Sequence, residues 1–81
     1  MRVTVKVFDL LERVTGKKGI VETDSLKETL GLDSLGMVML LLEVEEEFNI
    51  QLKESDMNPF SLQTVADLRN LVEKYSEGHH A

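Results

Sequence analysis

The segment from Leu35 to Phe48 (LGMVMLLLEVEEEF) carries more apolar surface than a helix in a small bundle can bury on one side. At about 100° per residue, Met37, Leu40, Leu41, Val44 and Phe48 share one arc roughly 100° wide, enough to face a core. Leu35, Val38, Met39 and Leu42 share a second arc of similar width on nearly the opposite side. The second arc needs a cover of its own, which is either the loop ahead of the helix or something outside the chain, a ligand or a partner. Glu43, Glu45, Glu46 and Glu47 border both arcs. Four acids in five positions read either as a solvated face or, beside surplus apolar surface, as the rim of a docking site for a basic partner.

The rest of the chain must bury the first arc. Its 81 residues are expected to make one domain over 1–81. Hydrophobic residues at 42% and charged ones at 30% are the balance of a globular chain rather than a disordered one. The only aromatic residues are Phe8, Phe48, Phe60 and Tyr75, so the core must be aliphatic. With no Cys there is neither a disulfide framework nor thiol chemistry from the chain itself. Fifteen acids against nine bases give a net charge of −6. Such a surface repels a phosphate backbone and attracts basic partners, so nucleic-acid binding is not expected. No apolar run approaches a membrane span, and the N-terminus lacks the layout of a signal peptide. A cytoplasmic monomer is the expectation.

Residues 1–15 admit two readings. Val3, Val5 and Val7 alternate as in a strand, while Val3, Val7, Leu10, Leu11 and Val14 follow helical spacing. The helical set is longer and Gly16 supplies a stop, so a helix is predicted. Residues 16–33 read as a long loop anchored by Ile20, Val21, Leu26, Leu30 and Leu32. Residues 53–60 (KESDMNPF) hold at most a turn or short helix, because Pro59 forbids a longer one. The last helix opens at Thr64-Val65-Ala66-Asp67, a Thr cap with an acid three residues on. Its stripe is Val65, Leu68, Leu71, Val72 and Tyr75, and the tail 77–81 is expected to fray. The fold class is therefore all-α, with three long helices, one short one, and a long first connection.

Ahead of the over-apolar helix stands Leu30-Gly31-Leu32-Asp33-Ser34-Leu35. Either Asp33 or Ser34 can cap the helix by accepting from a first-turn N–H. The same N-terminus favours an anion, so a phosphate ester on Ser34 would sit where the backbone dipoles stabilise it.

This run, followed by Val38, Leu40, the acidic cluster and Phe48, resembles the phosphopantetheine attachment region of acyl carrier proteins. The likeness extends over roughly residues 3–75, through Ser25-Leu26 and the Thr64-Val65-x-x-Leu68 opening of the last helix. It implies a four-helix carrier bundle in which a separate phosphopantetheinyl transferase esterifies the Ser34 hydroxyl with 4′-phosphopantetheine. The arm's thiol then carries an acyl or aminoacyl group as a thioester for fatty-acid, polyketide, peptide or cell-envelope biosynthesis. Asp33 would help position the transfer. Leu35, Val38, Met39, Leu42, Glu45 and Glu46 would form the surface read by partner enzymes with basic docking patches. Two positions depart from the carriers of bacterial fatty-acid synthesis, which usually have acids where this chain has Gly36 and Met39. Gly36 and Leu40-Leu41-Leu42 look closer to D-alanyl carriers and to carriers of specialised pathways.

Two other function classes compete. Catalysis by Ser34 would need a base and an oxyanion hole. The only histidines, His79 and His80, lie in the tail, and the acids do not fit a calcium loop or another metal site, so no enzyme is expected. An unmodified helical interaction module would use the same apolar face, with Ser34 serving only as a cap.

Overall fold

The structure, a computed structural model, describes residues 3–58 and 61–78, the last three of these by backbone alone. Three α-helices follow in order: α1 (Val3–Thr15), α2 (Ser34–Phe48) and α3 (Val65–Gly78), with a short 3-10 helix at Glu54–Met57 before α3. Among the described residues there is no strand, only an isolated antiparallel bridge between Ser25 and Thr64. Residues 3–7 are helical because that geometry places Val7, Leu10 and Leu11 together in the core. Extended, they would present unpaired backbone groups with no neighbouring strand to meet them. Gly16 ends α1 at φ +74°, its N–H donating to the Glu12 carbonyl at 2.8 Å. That left-handed C-terminal geometry is one a glycine adopts without steric cost.

One cluster forms the interior. It joins Val7, Leu10 and Leu11 of α1 to Met37, Leu40, Leu41 and Val44 of α2 and to Val65, Leu68, Leu71 and Val72 of α3. Leu26, Leu30, Ile50, Leu52 and Leu62 complete it from the connections, and Phe48 and Tyr75 pack at its edge. No polar side chain is buried among the described residues. Val14, expected on the stripe of α1, is exposed because the helix end carries it past the core.

The long loop does not cover the second arc of α2. It crosses the N-terminus of α3 instead. There the Asp24 and Glu22 carbonyls accept from the Val65 and Ala66 N–H groups, both at 3.0 Å, and Leu26 N–H donates to the Gln63 carbonyl at 2.9 Å. The first N–H groups of a helix have no partner within it, so the loop's backbone supplies them. Glu22 also pairs with Arg69 of α3. Leu26 and Leu30 are buried, and Ile20 and Leu32 pack against the core, but the expected anchor Val21 is exposed.

The expected cap of α3 is present. Thr64 Oγ1 accepts from Asp67 N–H at 3.3 Å, while Asp67 Oδ2 accepts from the Gln63 and Thr64 N–H groups at 3.0 and 3.1 Å. The 3-10 helix is tied to α3 through Tyr75, whose hydroxyl donates to Asp56 and accepts from Lys53 N–H at 2.8 Å. Lys74 Nζ lies 3.4 Å from Asp56. The helix α3 continues to Gly78, beyond the point where fraying was expected, since each added residue closes one more bond at low cost once a helix is nucleated. Pro59, Phe60 and the tail from His79 to Ala81 lie outside the described residues.

Two of these carboxyls tie stability to pH. Asp56 is held below its ordinary 3.8, chiefly by the Tyr75 hydroxyl, and Asp67 below the same value by the Gln63 and Thr64 N–H groups. With folded pKa values below the unfolded ones, the unfolded chain binds more protons in that range. The stability they contribute is therefore full above the unfolded value and is lost as pH falls through the folded ones. Thermal unfolding followed by circular dichroism should weaken as pH drops below about 4. Asp67→Ala should cost about 0.5–2 kcal/mol at neutral pH, as for a lost cap, and flatten part of that acid dependence. A variant melting like its parent at both ends would contradict the assignment.

Candidate functional site

Gly31, at φ +73°, turns the chain out of the loop toward α2. Leu30 is buried on one side of the turn, and Leu32 packs on the core with its N–H bonded to the Leu26 carbonyl at 3.0 Å. These two anchors hold the segment from inside and leave Asp33, Ser34 and Leu35 facing outward.

Asp33 is the cap. Its backbone is extended (φ −90°, ψ −173°), its Oδ1 accepts from Gly36 N–H at 2.7 Å, and its carbonyl accepts from Met37 N–H at 2.8 Å. The alternative left open by the sequence is thereby resolved: Ser34 is the first helical residue, exposed, and its hydroxyl has no hydrogen-bond partner among the described residues. A Cβ at Gly36 would stand 3.1 Å from Asp33 Oδ1 and 3.3 Å from Leu32 Cδ2, so glycine leaves the capping carboxylate and the leucine anchor uncrowded. A hydroxyl free of structural duty therefore sits at the positive end of a 15-residue helix, where an added phosphate diester would be favoured. Nothing in this geometry obstructs a covalent arm on Ser34. Among the described residues no group of three or more acids or histidines could hold a metal ion.

Along α2 the second arc stays open. Leu35 is 69% exposed, Met39 57% and Leu42 51%, and Val38 is half-buried. The bordering acids divide into two kinds. Glu45 is half-buried, and its Oε2 accepts from Leu52 N–H at 2.7 Å. Its carbonyl takes the Ile50 N–H at 3.0 Å after Asn49 turns the chain at φ 54°. Glu47 pairs with Arg13 of α1 at 3.0 Å. Glu43 and Glu46 are exposed, with no ion pair among the described residues. The structural work of Glu45 and Glu47 carries no sequence signal, because it depends on where Leu52 and Arg13 arrive in the fold.

Residues 5–72 match the family model for the phosphopantetheine attachment site. The fold is also that of solved carriers. It matches a Mycobacterium tuberculosis protein assigned to the acyl carrier proteins, with a TM-score of 0.81 and 27% identity over 91% of this chain and 99% of that one. An acyl carrier protein of Thermotoga maritima matches with a TM-score of 0.75 and 26% identity, over 91% of this chain and 86% of the other. The chain belongs to the phosphopantetheine-attachment family of acyl carrier domains. Members carry 4′-phosphopantetheine covalently and are carriers, not enzymes in their own right.

The division of labour between neighbours sets opposite expectations for two alanine variants. Asp33→Ala should lower stability by about 0.5–2 kcal/mol, the range for a lost helix cap. Ser34→Ala should stay within about 0.5 kcal/mol of the parent, as for a surface substitution touching nothing. Urea unfolding of the two variants compares them directly. Equal losses would mean that the hydroxyl shares the capping role.

Proposed function

We propose that Ser34 Oγ is the attachment point of the arm and that the chain delivers an acyl or aminoacyl group to partner enzymes. The observation that carries this reading is the exposed, unbonded hydroxyl at the start of α2, its capping duty taken by Asp33. In the attachment step, catalysed by a separate transferase, an ester bond forms between Ser34 Oγ and the phosphate of coenzyme A's pantetheine arm. Adenosine 3′,5′-bisphosphate leaves, and the hydroxyl proton passes to the transferase. When bound, the arm supplies the thiol that this Cys-free chain lacks.

The chain's own residues hold and present the site. Leu30 and Leu32 fix the turn, and Asp33 fixes the helix start and helps set the hydroxyl for transfer. Leu35, Val38, Met39 and Leu42 offer the face that partner enzymes read, with Glu46 at its end and Glu45 along its border. Gly36 and Met39, where the carriers of bacterial fatty-acid synthesis usually have acids, favour D-alanyl or specialised pathway partners over the enzymes of fatty-acid synthesis. We take the carrier to be a monomeric single domain in the cytoplasm, where the arm's donor, coenzyme A, is found.

Intact-mass spectrometry tests the attachment. Incubation with coenzyme A and a broad-specificity phosphopantetheinyl transferase should add one phosphopantetheine to the parent and none to Ser34→Ala. If the parent's mass is unchanged by an enzyme proven active on another carrier, the chain is an unmodified interaction module. The mass of the group on protein isolated from its own cell would then identify the cargo class.

A further inference from the structure

The connection between α2 and α3 is gripped from both sides. Two consecutive backbone N–H groups go to side chains of different helices: Leu52 N–H to Glu45 Oε2 of α2 at 2.7 Å, and Lys53 N–H to the Tyr75 hydroxyl of α3 at 2.8 Å. Lys53 is extended (φ −68°, ψ 154°), and successive residues of extended backbone face opposite sides. The two grips differ in depth. At the α2 end, Ile50 and Leu52 are buried, so apolar packing reinforces the Glu45 bond. The 3-10 helix that follows, Glu54–Met57, has no buried residue. Among the described residues it is tied down by the Tyr75 hydroxyl donating to Asp56, by Lys74 Nζ at 3.4 Å from the same carboxylate, and by half-buried Met57 packed on the core edge. The Lys74 side chain is 64% exposed, and an exposed ion pair is worth little. Tyr75 is thus the main fastening, since one hydroxyl reaches the segment at both Lys53 and Asp56.

We infer that Glu54–Met57 is a strap, hinged at Leu52 and latched by the Tyr75 hydroxyl, which opens from α3 as a unit while the three helices stay folded. Local opening costs least where few apolar contacts are broken, and in this segment the packed apolar side chain is Met57. The long first connection cannot behave this way, because Leu26 and Leu30 are buried and its carbonyls complete the first turn of α3. When the latch releases, Lys53 N–H and the Asp56 carboxylate turn to water, which replaces both bonds at a modest net cost. Ser34 lies at the other end of α2, about 21 Å along the axis from Phe48, the rise of fourteen residues. The strap therefore opens one edge of the bundle without disturbing the start of α2.

Native-state amide exchange on the full chain, followed by NMR at low urea concentrations, tests this. The reporter is Asp56 N–H, whose acceptor is the Lys53 carbonyl at 2.9 Å, so that substitution of Tyr75 leaves its own bond in place. In the parent this amide should be protected and should open more readily than the helical amides of Leu41 and Leu68. Its response to urea should have less than about half their slope, which scales with the surface exposed on opening. Leu52 N–H, at the hinge, should open less readily than Asp56 N–H. Tyr75→Phe should speed exchange at Asp56 by roughly tenfold, the equivalent of one net hydrogen bond, and at Leu41 and Leu68 by less than about threefold. The inference falls if Asp56 N–H is unprotected in the parent, opens no more readily than Leu52, or shares the opening energy and urea slope of Leu41. It falls equally if Tyr75→Phe leaves exchange at Asp56 unchanged or accelerates Asp56, Leu41 and Leu68 by the same factor. The parent measurements decide the matter even if the variant does not fold.

Discussion

A single carboxylate organises the site. Asp33 Oδ1 takes the Gly36 N–H at 2.7 Å, and with that bond the start of α2, the outward turn of the chain and the freedom of the next hydroxyl are set together. Had Ser34 been the cap, its oxygen would have been held by the backbone and unavailable for chemistry. A Cβ three positions along, at Gly36, would stand 3.1 Å from the carboxylate and 3.3 Å from Leu32 Cδ2, so glycine leaves both uncrowded. Upstream, the buried Leu30 and the packed Leu32 transmit the position of the core to the cap. Ser34 is therefore held by anchors in the interior without being part of it.

Within α2 the core face and the open face are read out by different things. Met37, Leu40, Leu41 and Val44 are fully enclosed and fix where the helix lies. The opposite face makes no comparable contribution to folding and is free to serve recognition. A helix this apolar would be an aggregation hazard if both faces were open. Acids at its flanks and a net charge of −6 keep such surfaces apart.

Much of this was legible before any coordinates. The two arcs, the helical reading of the first segment and the Thr64–Asp67 cap depend on local periodicity and local hydrogen bonding, which a linear sequence records directly, whereas the motif around Ser34 is legible through its resemblance to acyl carrier proteins. The destination of the long loop was not legible. Its backbone carbonyls meet α3, and carbonyls carry no residue-specific signature. Ile50, Leu52 and Leu62 are buried, yet they are isolated apolar residues in short connections with no period to mark them. Glu45 and Glu47 look like two more members of a solvated run, and only the arrival of Leu52 and Arg13 distinguishes them from Glu43 and Glu46.

The carbonyls of Glu22 and Asp24 that complete the first turn of α3 bear on how the molecule comes apart. The longest connection in the chain cannot lift away without stripping the final helix of its opening backbone bonds, and that helix cannot unwind from its start without releasing the connection. Segments far apart in sequence thus share one opening event. A protease seeking a loose strap between the first two helices would have to wait for much of the domain to yield.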